Sequence, residues 1–320
     1  MHTDSFYIGV DIGGTTVKLA VVTPEGTIKD KWEIPTDLKN KGERIVHDIK
    51  QTIFEKIDRL EIPKTSVIGV GVGAPGFLDS ISGFVYEAIN LGWIDYSLGS
   101  DLEEMTGWPV FVENDANLAA LGENWKGSGE NSNDLLAVTL GTGVGGGVVA
   151  NGELLNGANG TAGEIGHITV VPDGGAPCNC GKTGCLETVA SATGIVRVAK
   201  EKLVDNQASS LNASVPLTAK DIFDAAAEND PVSEEVITYV TNVLGMSIAN
   251  MANVLNPSKI VIGGGVSKAG DSLLIPLRKA FDKYALKRVR EAATFEVAVL
   301  GNDAGVLGGA YMVKKRLENK

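Results

Sequence analysis

Every cysteine of the chain, Cys178, Cys180 and Cys185, falls in one stretch, "GEIGHITVVPDGGAPCNCGKTGCLET". His167 precedes them, giving the spacing His-x10-Cys-x-Cys-x4-Cys. Zn²⁺ takes His and Cys ligands in a closed tetrahedron, and three cysteines with one histidine is a known structural set. Gly174, Gly175, Pro177, Gly181 and Gly184 supply the bends a loop needs to wrap one ion. In a reducing compartment, thiols clustered this tightly read as metal ligands rather than a disulfide with a spare. Four protein ligands leave no open position, so the expected zinc is structural. A redox-active thiol pair and unmetallated buried cysteines are the competing readings. Glu164 and Glu187 bracket the cluster, and a pinned loop would hold both still. Carboxylates accept hydrogen bonds from hydroxyls, as a sugar requires, and His167 could serve a metal through one ring nitrogen and a hydroxyl through the other. The plainer reading makes both glutamates solvated or helix-starting.

A second carboxylate has a chemical setting of its own. "VENDANLAALGE" places Glu113, Asn114 and Asp115 where an apolar strand gives way to a helix. A capping Asp is common there. An Asp that accepts a hydroxyl proton during phosphoryl transfer fits equally well, with Asn114 steadying the same hydroxyl.

The glycine turns suggest an anion. "GTGVGG" matches G-x-G-x-x-G, but a strand-like run follows it where a dinucleotide site needs a helix. "GGTTVK" is likewise not a Walker loop. "DIGGTTVK" and "LGTGVGGG" are instead two strand–turn–strand units, each offering consecutive N–H groups and threonine hydroxyls at a turn tip. Two ordinary hairpins are the bland alternative. Their matched placement favours a phosphate chain pinched between them, with Asp11 holding Mg²⁺ directly or through water. "GGGVS", from Gly263, links a strand to a helix and could let a flat ring lie close to backbone, or simply allow close packing.

The elements that must position these groups repeat. Strands are predicted at 6–12, 17–23 and 27–34, a helix at 42–60, and strands at 67–73 and 110–112. The helix carries Ile45, Ile49, Ile53 and Ile57 at i+4 spacing. Strands at 134–140 and 144–150 restart the pattern, followed by helices at 187–203, 219–228 and 231–255. A strand at 259–262, a helix from 268, a strand at 297–300 and a last helix from 301 complete it. Residues 205–217 read as an exposed loop. Two rough copies of one unit imply a duplicated two-domain α/β fold with mixed sheets and an interdomain cleft, the usual place for a small ligand.

Bulk properties narrow the classes. A net charge of −12 argues against nucleic acid or an anionic membrane as partner. No apolar run reaches the roughly 18 residues of a membrane span. The start "MHTDSFYIGVDIGG" has no secretory signature, so a cytoplasmic protein is expected. Forty glycines exceed the usual share of about 7 %.

Taken in order, "DIGGTT", "GAPG", "NLGW", "ENDAN", "LGTGVGGG", "GEIGH", "CNCGKTGCLE" and "GGGVS" resemble the ROK family of repressors, open reading frames and kinases, and within it the Gram-positive type of bacterial glucokinase. The resemblance spans the chain. It implies the actin/hexokinase-like (ribonuclease H-like) fold, with a small domain at 1–113 joined by the helix at about 303–320, and a large domain at 114–302 carrying the zinc loop 163–188. It implies transfer of the γ-phosphoryl group of ATP to the 6-hydroxyl of glucose, with Asp115 as general base. Asn114, Glu164, His167 and Glu187 would bind sugar hydroxyls, helped by Gly73 and Asn90. His167, Cys178, Cys180 and Cys185 would bind zinc. Gly13, Gly14, Thr15, Thr16, Gly141, Thr142 and Gly143 would line the phosphates, and Gly263, Gly264 and Gly265 the adenosine. The resemblance also implies a homodimer. A kinase for another hexose, such as N-acetylmannosamine or fructose, and a sugar-responsive repressor are the alternatives. The repressors carry a helix-turn-helix before the fold, for which a first strand at Phe6 leaves no expected room.

Overall fold

The structure, a computed structural model, describes residues 5–204, 209–213 and 215–318. Strands β1 (Phe6–Ile12), β2 (Thr16–Val22) and β3 (Ile28–Pro35) precede helix α1 (Ile45–Arg59) and strand β4 (Val67–Ala74). Short strands β5 (Phe77–Asp79), β6 (Phe84–Ala88) and β7 (Trp93–Tyr96) follow, then α2 (Leu98–Thr106), β8 (Val110–Asn114) and α3 (Asp115–Lys126). The second half runs β9 (Leu135–Leu140), β10 (Val144–Ala150), β11 (Glu153–Leu154), then α4 (Glu187–Ala190), α5 (Ala192–Leu203), α6 (Ala219–Ala227) and α7 (Pro231–Leu255). It ends with β12 (Lys259–Gly263), α8 (Asp271–Tyr284), α9 (Lys287–Ala292), β13 (Thr294–Val297) and α10 (Ala304–Glu318).

The duplication is visible in the sheets. One has the order β3-β2-β1-β4-β8, the other β11-β10-β9-β12-β13, and β5-β6-β7 form a small third sheet. In each large sheet the first strand pairs antiparallel with the second and parallel with the one across from it: β1 with β2 and β4, β9 with β10 and β12. The reason lies in the turns: tight glycine connections permit the antiparallel partner, whereas the parallel partner needs a helical crossover.

Each sheet covers its own apolar core. The i+4 isoleucines of α1 are all buried against Ile8, Val10 and Val72. The long α7 buries Val236, Leu244 and Ile248 beside β9 and β12. Asp230 caps α7 by accepting from the Ser233 N–H at 2.9 Å, with Pro231 fitting the first turn.

Between the sheets lie α10 and α3, packed almost backbone to backbone. A Cβ placed on Gly308 would meet the Leu118 carbonyl oxygen at 1.8 Å, and one on Gly122 the Ala304 oxygen at 2.0 Å. Toward the first sheet, a Cβ on Gly9 would meet the Val306 oxygen at 1.9 Å and one on Gly71 the Gly309 oxygen at 2.0 Å. Toward the second, Gly147 faces the Ala120 methyl, 2.5 Å from such a Cβ. The last helix therefore returns to the first sheet.

Several boundaries differ from expectation. The helix expected at 187–203 breaks at Ser191, whose Oγ accepts the Gly194 N–H at 2.9 Å and starts α5 afresh. The last strand lies at Thr294–Val297, not 297–300, because its register against β12 ends with Val297 beside Ile262. Strands β5 to β7 and helices α2 and α9 are additions. Of the expected loop at 205–217, residues 205–208 and 214 lie outside the described residues; the remainder holds neither helix nor strand.

Candidate active site

The carboxyl ends of β1 and β8, the β9–β10 turn and the cysteine loop converge on a cavity of about 730 Å³. Asp11, Asn90, Asn114, Asp115, Gly141, Thr142, Gly143, Glu164, His167 and Glu187 all line it.

Asp115 is the first residue of α3. The cap is Asn114, whose Oδ1 accepts the N–H groups of Ala116 at 2.9 Å and Asn117 at 3.3 Å. Asp115 is thereby released from the capping role and faces the cavity, with Oδ1 accepting its neighbour's N–H, that of Ala116, at 2.8 Å. Its pKa is pushed up to about 6. Burial is the main cause and the Asp11 charge the next; the Ala116 N–H opposes, and Glu164 adds to the rise. A carboxylate poised near neutral pH is suited to accept a proton. Gly73 lies beneath: a Cβ there would sit 3.6 Å from the Asp115 Cα.

Glu113, buried behind the site, holds this corner. Its Oε1 accepts from the Asn114 N–H at 2.9 Å and Asn117 Nδ2 at 3.0 Å, and its Oε2 from Asn156 Nδ2 at 2.6 Å. Asn156 also donates to Ser80 Oγ, so one amide ties the second half of the chain to the first.

The cysteine loop forms the opposite wall. One ligand atom each from His167, Cys178, Cys180 and Cys185 lies within 4.8 Å of the others. Cys178 Sγ is 3.5 Å from His167 Nδ1, and Cys180 Sγ 3.6 Å from Cys185 Sγ. With Zn–S bonds near 2.3 Å, sulfurs around one tetrahedral ion stand roughly 3.8 Å apart, so the donor set and spacing fit zinc. His167 Nε2 turns the other way, 3.8 Å from Glu164 Oε2. Burial raises the Glu164 pKa, His167 opposes and Glu187 adds. Glu187 Oε2 accepts the Val144 N–H at 3.1 Å, joining this wall to the glycine turn.

The turn 141–143 is closed by the Gly141 N–H donating to the Gly143 oxygen at 2.9 Å, and Thr193 Oγ1 donates to the Thr142 oxygen at 2.8 Å. The first turn stands farther back. Gly13, Gly14, Thr15 and Thr16 do not line the cavity, and the Gly13 N–H donates to the Thr16 oxygen at 3.0 Å. Gly73, Gly263, Gly264 and Gly265 are outside the lining too. Gly264, at φ +83°, packs so near Leu140 that a Cβ would reach its carbonyl oxygen at 2.3 Å, while Gly265 faces open space.

Sequence reasoning missed Lys18, Thr139, Asn179, Thr193 and Asn302, which also line the cavity. Lys18 had a usable signal: it is the lone charge in the apolar strand "TVKLAVV", directly across from Asp11. Asn302 reaches the site only because α10 returns, and short-range pattern carries no trace of that.

With this geometry in view, similarity to known proteins can be stated. Residues 7–316 match the ROK family. A glucokinase of Halalkalibacterium halodurans is 54 % identical over 98 % of this chain and 96 % of its own. A glucokinase of Thermotoga maritima is 39 % identical over 97 % of this chain and 98 % of its own. The crystal structure of a ROK family glucokinase from Streptomyces griseus in complex with glucose and AMPPNP superposes with a TM-score of 0.75 at 34 % identity, covering 97 % of this chain and all of that one. These likenesses carry the actin/hexokinase-like fold with them, and the chain belongs to the ROK family.

Proposed function

We propose that the protein is an ATP-dependent glucokinase, transferring the γ-phosphoryl group of ATP to the 6-hydroxyl of glucose. The observation that carries this is Asp115: a carboxylate set free by the Asn114 cap, raised to about 6, and facing both the glycine turn and the cysteine-loop wall across one cavity. The 54 % identity to a glucokinase and the likeness to one holding glucose and AMPPNP support the choice of substrates.

In this reading Asp115 accepts the O6 proton as O6 bonds to the γ-phosphorus. The bridging P–O bond breaks and ADP leaves. Asn114, Glu164, His167 and Glu187 orient the sugar hydroxyls, with Gly73 and Asn90 at the margin. Gly141, Thr142 and Gly143 face the phosphates, backed by Gly13, Gly14, Thr15 and Thr16, and Gly263, Gly264 and Gly265 take the adenosine side. Asp11, half-buried at the cavity floor, is the residue to hold Mg²⁺, which neutralises phosphate charge when bound. His167, Cys178, Cys180 and Cys185 hold zinc, whose chemistry here is structural. The division into a small domain at 1–113 with the last helix and a large one at 114–302 follows the sheets, and closure between them would exclude water from the phosphoryl group. The assembly we propose is a cytoplasmic homodimer.

Coupled phosphorylation kinetics with a panel of hexoses, and with ATP or polyphosphate as donor, test the reading. Glucose with ATP is expected to give the highest kcat/KM. Preference for N-acetylmannosamine, fructose or polyphosphate would replace it.

A further inference from the structure

A second cavity, of about 480 Å³, shares no lining residue with the first. It lies where the two halves of the chain meet. Its walls come from β8, the edge strand of the first sheet, and from β11, the edge strand of the second. Between them Leu121 of α3 and Met312 of α10, both buried, supply apolar surface, and Phe111 of β8 adds an aromatic ring. Two tethers join the halves around this hollow. Lys315 Nζ donates to Glu153 Oε1 at 2.6 Å and to the Gly152 oxygen at 3.2 Å. Asn156 Nδ2 donates to Glu113 Oε2 at 2.6 Å.

Arg316 is the unmatched group. It lines the cavity from the last turn of α10, and among the described residues it has neither an ion pair nor a hydrogen bond. Lys315 beside it pairs with one carboxylate, that of the exposed Glu153, and an exposed pair is worth little. Basic residues gain from the dipole at a helix C-terminus, which accounts for the two cations but not for the apolar hollow beside them. A volume of about 480 Å³ falls within the roughly 300–1,000 Å³ of small-molecule sites. A guanidinium fork matches phosphate oxygens through paired N–H donors, and a neighbouring ammonium meets the second negative charge. The chemistry that fits is therefore a phosphate head on an apolar body.

We propose that this cavity binds a small organic phosphate monoester, its phosphate on Arg316 and Lys315 and its body against Phe111, Leu121 and Met312, and that occupancy slows the kinase. Each turnover needs the halves to close and reopen. A body braced between the edge strands β8 and β11 resists that movement, so the rate falls even at saturating substrate. A ligand shifts such an equilibrium by its difference in affinity for the two arrangements. The cavity also touches the catalytic corner. Glu113, which is buried and lines it, accepts the Asn114 N–H at 2.9 Å, and Asn114 caps the helix that begins with Asp115. The effect on rate rests on the phosphoryl-transfer reading above; the binding does not.

Phenyl phosphate is the probe, and inorganic phosphate, which lacks the apolar body, is its comparison. Binding is read by titration calorimetry and inhibition by steady-state kinetics, each variant against its own rate without probe. Phenyl phosphate is expected to bind the parent saturably and to lower kcat by about fivefold or more, the lower end of usual coupling, with a loss that excess ATP and glucose do not abolish. Inorganic phosphate should bind roughly tenfold or more weakly, for want of buried apolar area. Arg316→Gln, a change at an exposed residue, removes the charge, and Leu154→Trp fills the hollow from β11. Both are expected to weaken phenyl phosphate binding about tenfold or more. Arg288→Gln removes an exposed cation of α9 that lines neither cavity, and should keep the binding. Three results overturn the proposal: no saturable binding to the parent, parental binding in Arg316→Gln, or inhibition that excess ATP abolishes, which places the probe in the catalytic cavity. Binding with an unchanged rate overturns the regulatory half. Failure of the glucokinase reading looks different: the parent then phosphorylates no glucose, while calorimetry still decides whether the cavity takes the probe.

Discussion

Glu187 spans the two walls of the cleft: its Oε2 accepts the Val144 N–H at 3.1 Å while its Oε1 lies 3.8 Å from Cys178 Sγ. The cysteine loop and the glycine turn are therefore one mechanical unit. A Cβ on Gly143 would lie 2.2 Å from Glu187 Oε2. Gly143→Ala is expected to push this carboxylate away and lower kcat/KM for both ATP and glucose by roughly 10–100-fold, since misplacement near 1 Å is that costly. Steady-state kinetics check it; a change in one substrate alone would separate the walls.

Asp115→Ala should cut kcat by about 10²–10⁴-fold, the usual worth of positioned proton transfer, and leave glucose binding measurable. The pH profile follows from the raised pKa. Below about pH 6 the carboxyl is protonated and cannot accept the O6 proton, so kcat/KM should fall on the acid side with a midpoint near 6. A profile flat from pH 5 to 8 would remove Asp115 from the role.

Stability should move the opposite way to activity. The folded pKa of Asp115, about 6, exceeds the unfolded value near 3.8, so the folded state holds this proton more tightly and loses stability as pH rises through that window. Asp115→Asn relieves the penalty. Its melting temperature should exceed the parent's above pH 6, by at most about 3 kcal/mol in free-energy terms, and the gain should vanish toward pH 4. Thermal melts across pH read this directly.

Metal and activity should fall together in Cys180→Ser. The purified parent is expected to carry stoichiometric zinc by elemental analysis, and chelation should disorder the loop that holds Glu164, His167 and Glu187. A metal-free parent with full activity would exclude the zinc.

Glu123→Ala should destabilise without touching substrate. The buried carboxylate accepts N–H groups of Ser128 at 3.1 Å, Val299 at 3.2 Å and Leu300 at 2.8 Å. These donors are part-buried, so stranding each costs toward the low end of about 1–3 kcal/mol and a total loss near 3 kcal/mol is expected in urea unfolding.

What could be read in advance divides by range. The i+4 isoleucines of α1 and the near-continuous apolar runs of β1 and β9 announced themselves, because a helix buried on one face shows a period and a strand buried on both faces shows an unbroken run. Asp115, Glu187 and the cysteine set were legible from residue type and spacing. Strands β5 to β7 were not: they are three to five residues long, and exposed Tyr86 and Ile94 blur their alternation. Nor was Ser191 as a helix break, since its effect depends on a hydroxyl reaching one N–H. The capping role of Asn114 was equally hidden, because adjacent Asn and Asp are both good caps and only the fold chooses between them.

The glycines of the α3–α10 layer have a consequence beyond packing. First sheet, α10, α3 and second sheet are stacked with hydrogen atoms where methyl groups would otherwise sit, at Gly9, Gly71, Gly308, Gly122 and Gly147. Asp115 rides on the middle of this stack and the glycine turn on its far plate. A methyl added at Gly147 works as a shim that moves Asp115 away from the turn 141–143, whereas one at Gly9, Gly71, Gly122 or Gly308 moves α3 and the second sheet against the rest of the stack. Residues with no reactive atoms thus set the gauge of the chemistry.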